Sequence, residues 1–230
     1  MYRLFFIALF FSRCISNPEP SPQAPQPHPK SAVLLHDISI TFKSAIQPDR
    51  SLFLNLGKEI AASGGNLAFG LIGSPDSTEQ LIRQSFAMPP VLPPDLVHSE
   101  RIRYQDSLAI INHYNDSLIN VFADNCMEVL RMHSQKHAWT DVNKGLQRAN
   151  EFFSELKMAD THKILILNTD GKQDVLLPNG TRDHTLKLDL IPAGTKSITC
   201  GWEAPTRISG AGIVESPGGL TEQIRLLTFK

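Results

Sequence analysis

Residues 32–42 read AVLLHDISITF. Ala32 to Leu35 form an apolar run of the kind found in strands covered on both faces. The run ends in Asp37, Ser39 and Thr41, three oxygen-bearing side chains at alternate positions. Alternate residues of an extended chain share a face, so a strand from Ala32 to Ile40 carries its polar groups at its carboxyl end and aims them one way. In parallel α/β sheets that end, with the loop after it, is where ligands sit.

The segments that follow alternate between helical and strand periods. In RSLFLNLGKEIAAS, 50–63, Leu52, Leu56 and Ile60 fall on one helical face, with Pro48 ahead and Gly64-Gly65 behind. NLAFGLIGS, 66–74, reads as a second strand. SPDSTEQLIRQSF, 74–86, predicts a short helix, and MPPVLPPDLV, 88–97, a loop unfit for a central strand. A long helical pattern runs from Gln105 to Met132, and DVNKGLQRANEFFSELK, 141–157, gives another helix. HKILILNTDG, 162–171, is a buried strand closed by a turn, followed by strands over HTLKLDLI, 184–191, and SITCGW, 197–202. GGLTEQIRLLTF, 218–229, fits either a helix or a strand. Strands separated by helices predict an α/β, doubly wound domain over 31–230, its sheet mainly parallel with helices on both faces.

The chain has 230 residues, 41% hydrophobic and 20% charged, enough for a single domain with a sizeable core. A net charge of -1 and scattered basic residues exclude a general attraction to phosphate backbones, so no nucleic acid partner is expected. At the N-terminus Arg3 precedes an unbroken apolar run, Leu4 to Phe11, too short to span a bilayer as a helix and suited to a secretory signal. Residues 1–16 are therefore expected to export the chain. Cys14 stands where bacterial lipoproteins are acylated, although Arg13 occupies the position of a small residue. Residues 17–30, NPEPSPQAPQPHPK, form a proline-rich tether that favours an extended conformation. The expectation is a cell-envelope lipoprotein or a periplasmic or extracellular protein, touching membrane through its N-terminal anchor only. Cys126 and Cys200 read as two buried thiols.

Two expected strands end in aspartate, Asp37 and Asp170, with hydroxyls beside them. That donor set suits a hard cation such as Mg²⁺, which takes oxygen ligands and keeps several waters. WTDVNKGLQRA, 139–149, adds Thr140 and Asp141 before a helix, where capping a first turn is the simplest role.

In order along the chain, DISIT, TDVNKGLQRA and KILILNTDGKQD resemble the D-x-S-x-S/T motif, the threonine loop and the fourth-strand T-D-G motif of the von Willebrand factor type A (VWA) domain. Gly145 takes the place of the usual alanine in the second. The resemblance implies a metal-ion-dependent adhesion site (MIDAS) on top of the sheet. Ser39, Thr41 and Thr140 would ligate Mg²⁺ (or Mn²⁺) directly, and Asp37 and Asp170 directly or through water. It further implies a non-enzymatic protein-binding domain whose ion accepts an acidic side chain of a partner. The family usually carries an edge hairpin before the threonine loop, which this sequence does not display.

Two other functions compete. Haloacid-dehalogenase-like phosphotransferases also place acids at the end of a first strand, but their second aspartate, the proton donor, would fall at Ser39. The fold could also serve as an interaction module without an ion. His36 should face away from Asp37 as a core histidine, and Asp174 reads as a solvated carboxylate. Asn115 and Asn179 open glycosylation sequons.

Overall fold

Strand β1, Lys30–Asp37, is the axis of the sheet. It pairs in parallel with β2, Asn66–Ile72, on one side and β4, His162–Asn168, on the other. The computed structural model describes residues 28–40, 42–43, 46–73, 81–92, 95, 97–133, 138–156 and 161–227. The expected signal segment with Cys14, and the tether up to residue 27, lie outside these, as do Ser44 and Ser74. Among the described residues no helix is long and apolar enough to cross a membrane.

Helix α1, Arg50–Ala61, follows β1, its first turn closed by Asp49 Oδ1 accepting the Leu52 N–H at 2.7 Å. Beyond β2 come β3, Ile82–Ser85, and the long helix α2, His98–Met132. Helix α3, Val142–Glu155, leads into β4. Strands β5, Val175–Leu176, and β6, Arg182–Asp183, form a separate antiparallel pair. The chain closes with β7, Lys196–Cys200, β8, Gly212–Ile213, and helix α4, Pro217–Leu226. The main sheet runs β3-β2-β1-β4-β7-β8, and only β3 is antiparallel. This is a doubly wound α/β fold.

Strand alternation divides the core in two. Ala32 and Leu34 of β1 join Leu67, Phe69, Ile164, Ile166 and Ile198 beneath α1, α2 and α4. Phe53 of α1 stacks edge-on against Phe69 and Phe122, which ties both helices to that face. Val33 and Leu35 face the other way, with Leu165 and Leu167, beneath Val142, Leu146, Ala149 and Phe153 of α3. Gly145 is where α3 comes closest to the sheet. A Cβ there would stand 3.1 Å from Ile72 Cγ1 and 3.3 Å from Leu35 Cδ1, so the missing methyl lets the helix settle.

Several expectations are corrected. β1 stops at Asp37 rather than Ile40. Residues 82–85 are not helical but form the edge strand β3, antiparallel to β2, because partners on β2 outweigh a short local pattern. The sheet therefore does carry an antiparallel edge strand before the threonine loop. Helix α2 begins at His98, seven residues before Gln105. Over 184–191 there is no strand but a 3-10 turn, Leu188–Leu190; Leu186, Leu188 and Leu190 lie half-buried against the α3 side of the core. Residues 217–226 are helical, opened by Ser216 Oγ accepting the Gly219 N–H. The sequon at Asn115 is structural: the side chain is buried and makes two 2.9 Å hydrogen bonds with the backbone of Ala87.

The strand order reverses between β1 and β4, since the chain moves outward through β2 and β3 and returns to the other side of β1. Such a reversal parts the loops above the sheet and opens a crevice at the carboxyl ends of the two strands. Asp37 ends one of those strands and Asn168-Thr169-Asp170 the other.

Candidate metal site at the carboxyl edge of the sheet

The local chemistry of Asp37 explains why β1 ends where it does. Its Oδ1 accepts the backbone N–H of Ser39 at 2.8 Å, an Asx-type turn that competes with continued pairing. The Ile38 N–H still reaches Ile72 O at 2.9 Å, so the chain leaves the sheet one residue later. Asp37 Oδ2 accepts the hydroxyl of Thr169 at 2.7 Å, which links the tips of β1 and β4. Asp37 is only 2% exposed, and burial pushes its carboxyl above the usual carboxylate range; the hydrogen bonds from Ser39 and Thr169 oppose that rise, and the charge of Asp170 adds to it.

Across the crevice, the β4 turn repeats the pattern. Asp170 Oδ1 accepts the Lys172 N–H at 2.9 Å, and its carbonyl accepts the N–H groups of Glu203 and Ala204. Thr169 Oγ1 also accepts the Gly171 N–H at 3.1 Å. Gly171 has φ +75°, and a Cβ there would come within 2.8 Å of the Trp202 ring. The glycine is thus required twice, by the turn and by the indole packed on it. Lys172 Nζ lies 2.8 Å from Glu203 Oε2 and 3.5 Å from Asp170 Oδ2.

The third loop is tied to the end of β2 and to the turn after β4. The Asp141 N–H bonds Gly73 O beyond β2, and Thr140 and Asp174 exchange two backbone hydrogen bonds of 2.9 Å. Asp141 caps α3, its Oδ1 accepting the Lys144 N–H at 3.0 Å and an amide proton of Gln173 at 3.1 Å. Gln173 Oε1 in turn accepts the Asn143 N–H. Asp174 is not simply solvated: it pairs with Arg182, and its Oδ1 is buried without a hydrogen bond. A cleft of about 510 Å³ opens beside this loop between Thr140, Lys172, Gln173, His184, Leu186 and Pro205.

Of the residues singled out in the sequence, Asp37, Ser39 and Asp170 lie together in the crevice, and Thr140, 4% exposed, stands on the adjoining loop. Thr41 lies outside the described residues. Ser39 is 2% exposed, and its Oγ lies beside the Asp37 carboxyl without a well-formed hydrogen bond. A buried hydroxyl normally finds one. His36, on the opposite face, receives a 2.9 Å contact at Nδ1 from Asn168 Nδ2, which also donates to Ile46 O at 2.7 Å. Burial lowers its pKa to about 4, so it is the neutral core histidine expected. Cys126 and Cys200 are free and buried, as expected.

Thr169, Lys172 and Gln173 were not foreseen. Thr169 was visible inside the T-D-G motif, but its bond to Asp37 depends on strand order. No sequence signal marked the other two.

Among the described residues no three His, Cys, Asp or Glu side chains converge as a metal-binding group. The available donors are the carboxylates of Asp37 and Asp170 and the hydroxyls near them, a set suited to a hard cation. The Ser39 Oγ, without a well-formed hydrogen bond, is what such an ion would satisfy.

No protein-family model and no curated protein matches the sequence. Among solved structures, the chain is similar to that of the manganese-loaded TRAP protein of Plasmodium vivax, at 13% identity, over 88% of this chain and 74% of that one, with a TM-score of 0.41. A likeness that loose bears on neither the site nor the function.

Proposed function

We propose that this is a VWA-type, non-enzymatic interaction domain that holds Mg²⁺ or Mn²⁺ at the β1–β4 crevice and uses it to capture an acidic side chain of a partner protein. The observation that carries the reading is the convergence at the β1–β4 crevice of two buried acids, Asp37 and Asp170, with the buried Ser39 hydroxyl beside Asp37. Ser39, Thr41 and Thr140 would supply hydroxyl ligands, and Asp37 and Asp170 would bind directly or through water. When bound, the ion supplies a positive centre for a carboxylate. Neutral hydroxyls leave most of that charge uncancelled, and the two aspartates orient what surrounds it. Thr169 is the positioning residue, because its hydroxyl fixes the Asp37 carboxylate at 2.7 Å. Export by residues 1–16, lipidation at Cys14 and the tether belong to the same proposal. They would hold the domain at the cell envelope, facing proteins outside the cytoplasm.

The test is a thermal melt in EDTA, then with Mg²⁺ or Mn²⁺ at about 100 times its dissociation constant. An ion that binds only the folded state should then add about 2.7 kcal/mol, a rise of roughly 5–10 °C for a chain of this size. Asp170→Ala should abolish the rise. No shift in the wild type, or an equal shift in the variant, defeats the metal reading.

A further inference from the structure

Among the described residues, helix α2 packs through one side. Asn115, Ile119, Phe122, Ala123 and Cys126 are its buried residues, and α1 and β3 are its neighbours there. On the opposite side a stripe of Arg103, Ile110, Tyr114, Ser117, Val121 and Glu128 is exposed along its length. At 100° per residue these six lie within about 60° of arc, roughly opposite the buried face. Ile110, Tyr114 and Val121 are 69%, 55% and 51% exposed, large apolar groups in a row at the middle of the stripe. Arg103 and Glu128 flank this middle with opposite charges, and Ser99 and Met132 continue the stripe beyond them.

The spacing is symmetric. From Arg103 to Glu128 the intervals are 7, 4, 3, 4 and 7 residues, centred between Asn115 and Asp116. Reversing the stripe therefore superimposes Ile110 on Val121, Tyr114 on Ser117 and Arg103 on Glu128. Two copies laid antiparallel about that centre would bring Ile110 onto Val121 and Tyr114 onto Ser117 and pair each arginine with a glutamate, twice over. This is the self-complementarity that a two-fold interface requires. A parallel arrangement would set arginine on arginine. Among the described residues Glu128 pairs with Arg131 of the same helix, an exposed pair of little strength.

We infer that the exposed face of α2 is a homodimer contact, in which two copies of this chain pair their α2 helices antiparallel with Arg103 of each against Glu128 of the other. The inference does not depend on the metal site, which lies at the carboxyl edge of the sheet.

Sedimentation equilibrium of the full chain across the micromolar range is the experiment. The wild type should show a monomer–dimer equilibrium, and Arg103→Glu or Glu128→Arg should each weaken it at least about tenfold. The double exchange should restore it to within about threefold, because the pair is then reversed rather than broken. Ile110→Asp, which leaves the charges alone, should weaken it as well. All four changes are at exposed positions and should melt as the wild type does. A wild type that stays monomeric overturns the inference, and so does a double exchange no better than the singles. A dimer that none of the variants affects would place self-association elsewhere, for instance at the apolar run 4–11, and overturns it equally.

Discussion

His36 and Asp37 are neighbours on β1, 7% and 2% exposed, and they face opposite sides of the sheet. On the His36 side Asn168 gives one amide proton to the ring and another to Ile46 O, and the imidazole stays neutral. On the Asp37 side a buried carboxyl lies under the influence of a second acid, Asp170, with the Ser39 and Thr169 hydroxyls beside it. Both sides are buried to about the same degree. The difference is that a neutral pair closes one side while two acids share the other, the side on which the proposed ion would sit.

The largest expected effect lies on the Asp37 side. Gly171→Ala forces a left-handed backbone on alanine and drives its methyl into Trp202, and should cost roughly 4 kcal/mol in denaturant unfolding. A loss below about 1 kcal/mol would mean that the indole yields freely and that the turn is not fixed by packing.

The second effect belongs to the His36 side and sharpens the claim that it is closed. The folded pKa of about 4 lies below the ordinary 6.5, so between those values the unfolded chain binds more protons and stability rises with pH. This contribution is complete above pH 6.5, and roughly 3 kcal/mol of it disappears as pH falls through 4. Unfolding midpoints from pH 7 to pH 4 should therefore fall more steeply for the wild type than for His36→Gln. Parallel slopes would show that the imidazole charges at no cost.

The smallest effect has the opposite sign. The raised pKa of Asp37 means that ionising it at neutral pH works against folding. Asp37→Asn, melted in EDTA at pH 7, should melt above the wild type while losing any response to Mg²⁺. A variant less stable than the wild type in EDTA would make Asp37 a structural residue like His36 and erase the contrast.

Much of this arrangement was legible in the sequence. Strands β1, β2, β4 and β7 announced themselves as apolar runs, and α1 and α3 by their period, because each buries enough surface to need that pattern. What could not be read depended on partners distant in sequence. Ile82–Ser85 has too few residues to show a period and is a strand only because β2 pairs with it. The leucines of 186–190 alternate like a strand, yet they cap the α3 side of the core from a 3-10 turn. Asp37, Ser39 and Asp170 were legible as polar ends of apolar strands. Thr169 became a contact of Asp37 only once β4 was placed beside β1.

The outer strands of the sheet have a consequence for the behaviour of the protein at high concentration. β3 offers four residues of free edge, with Arg83 held by Glu155 along it, and β8 offers only two. An open sheet recruits further strands through the backbone groups it leaves unpaired. Here both margins are cut short, and one carries a charge, so a stack of such domains finds little backbone on which to grow into a fibre.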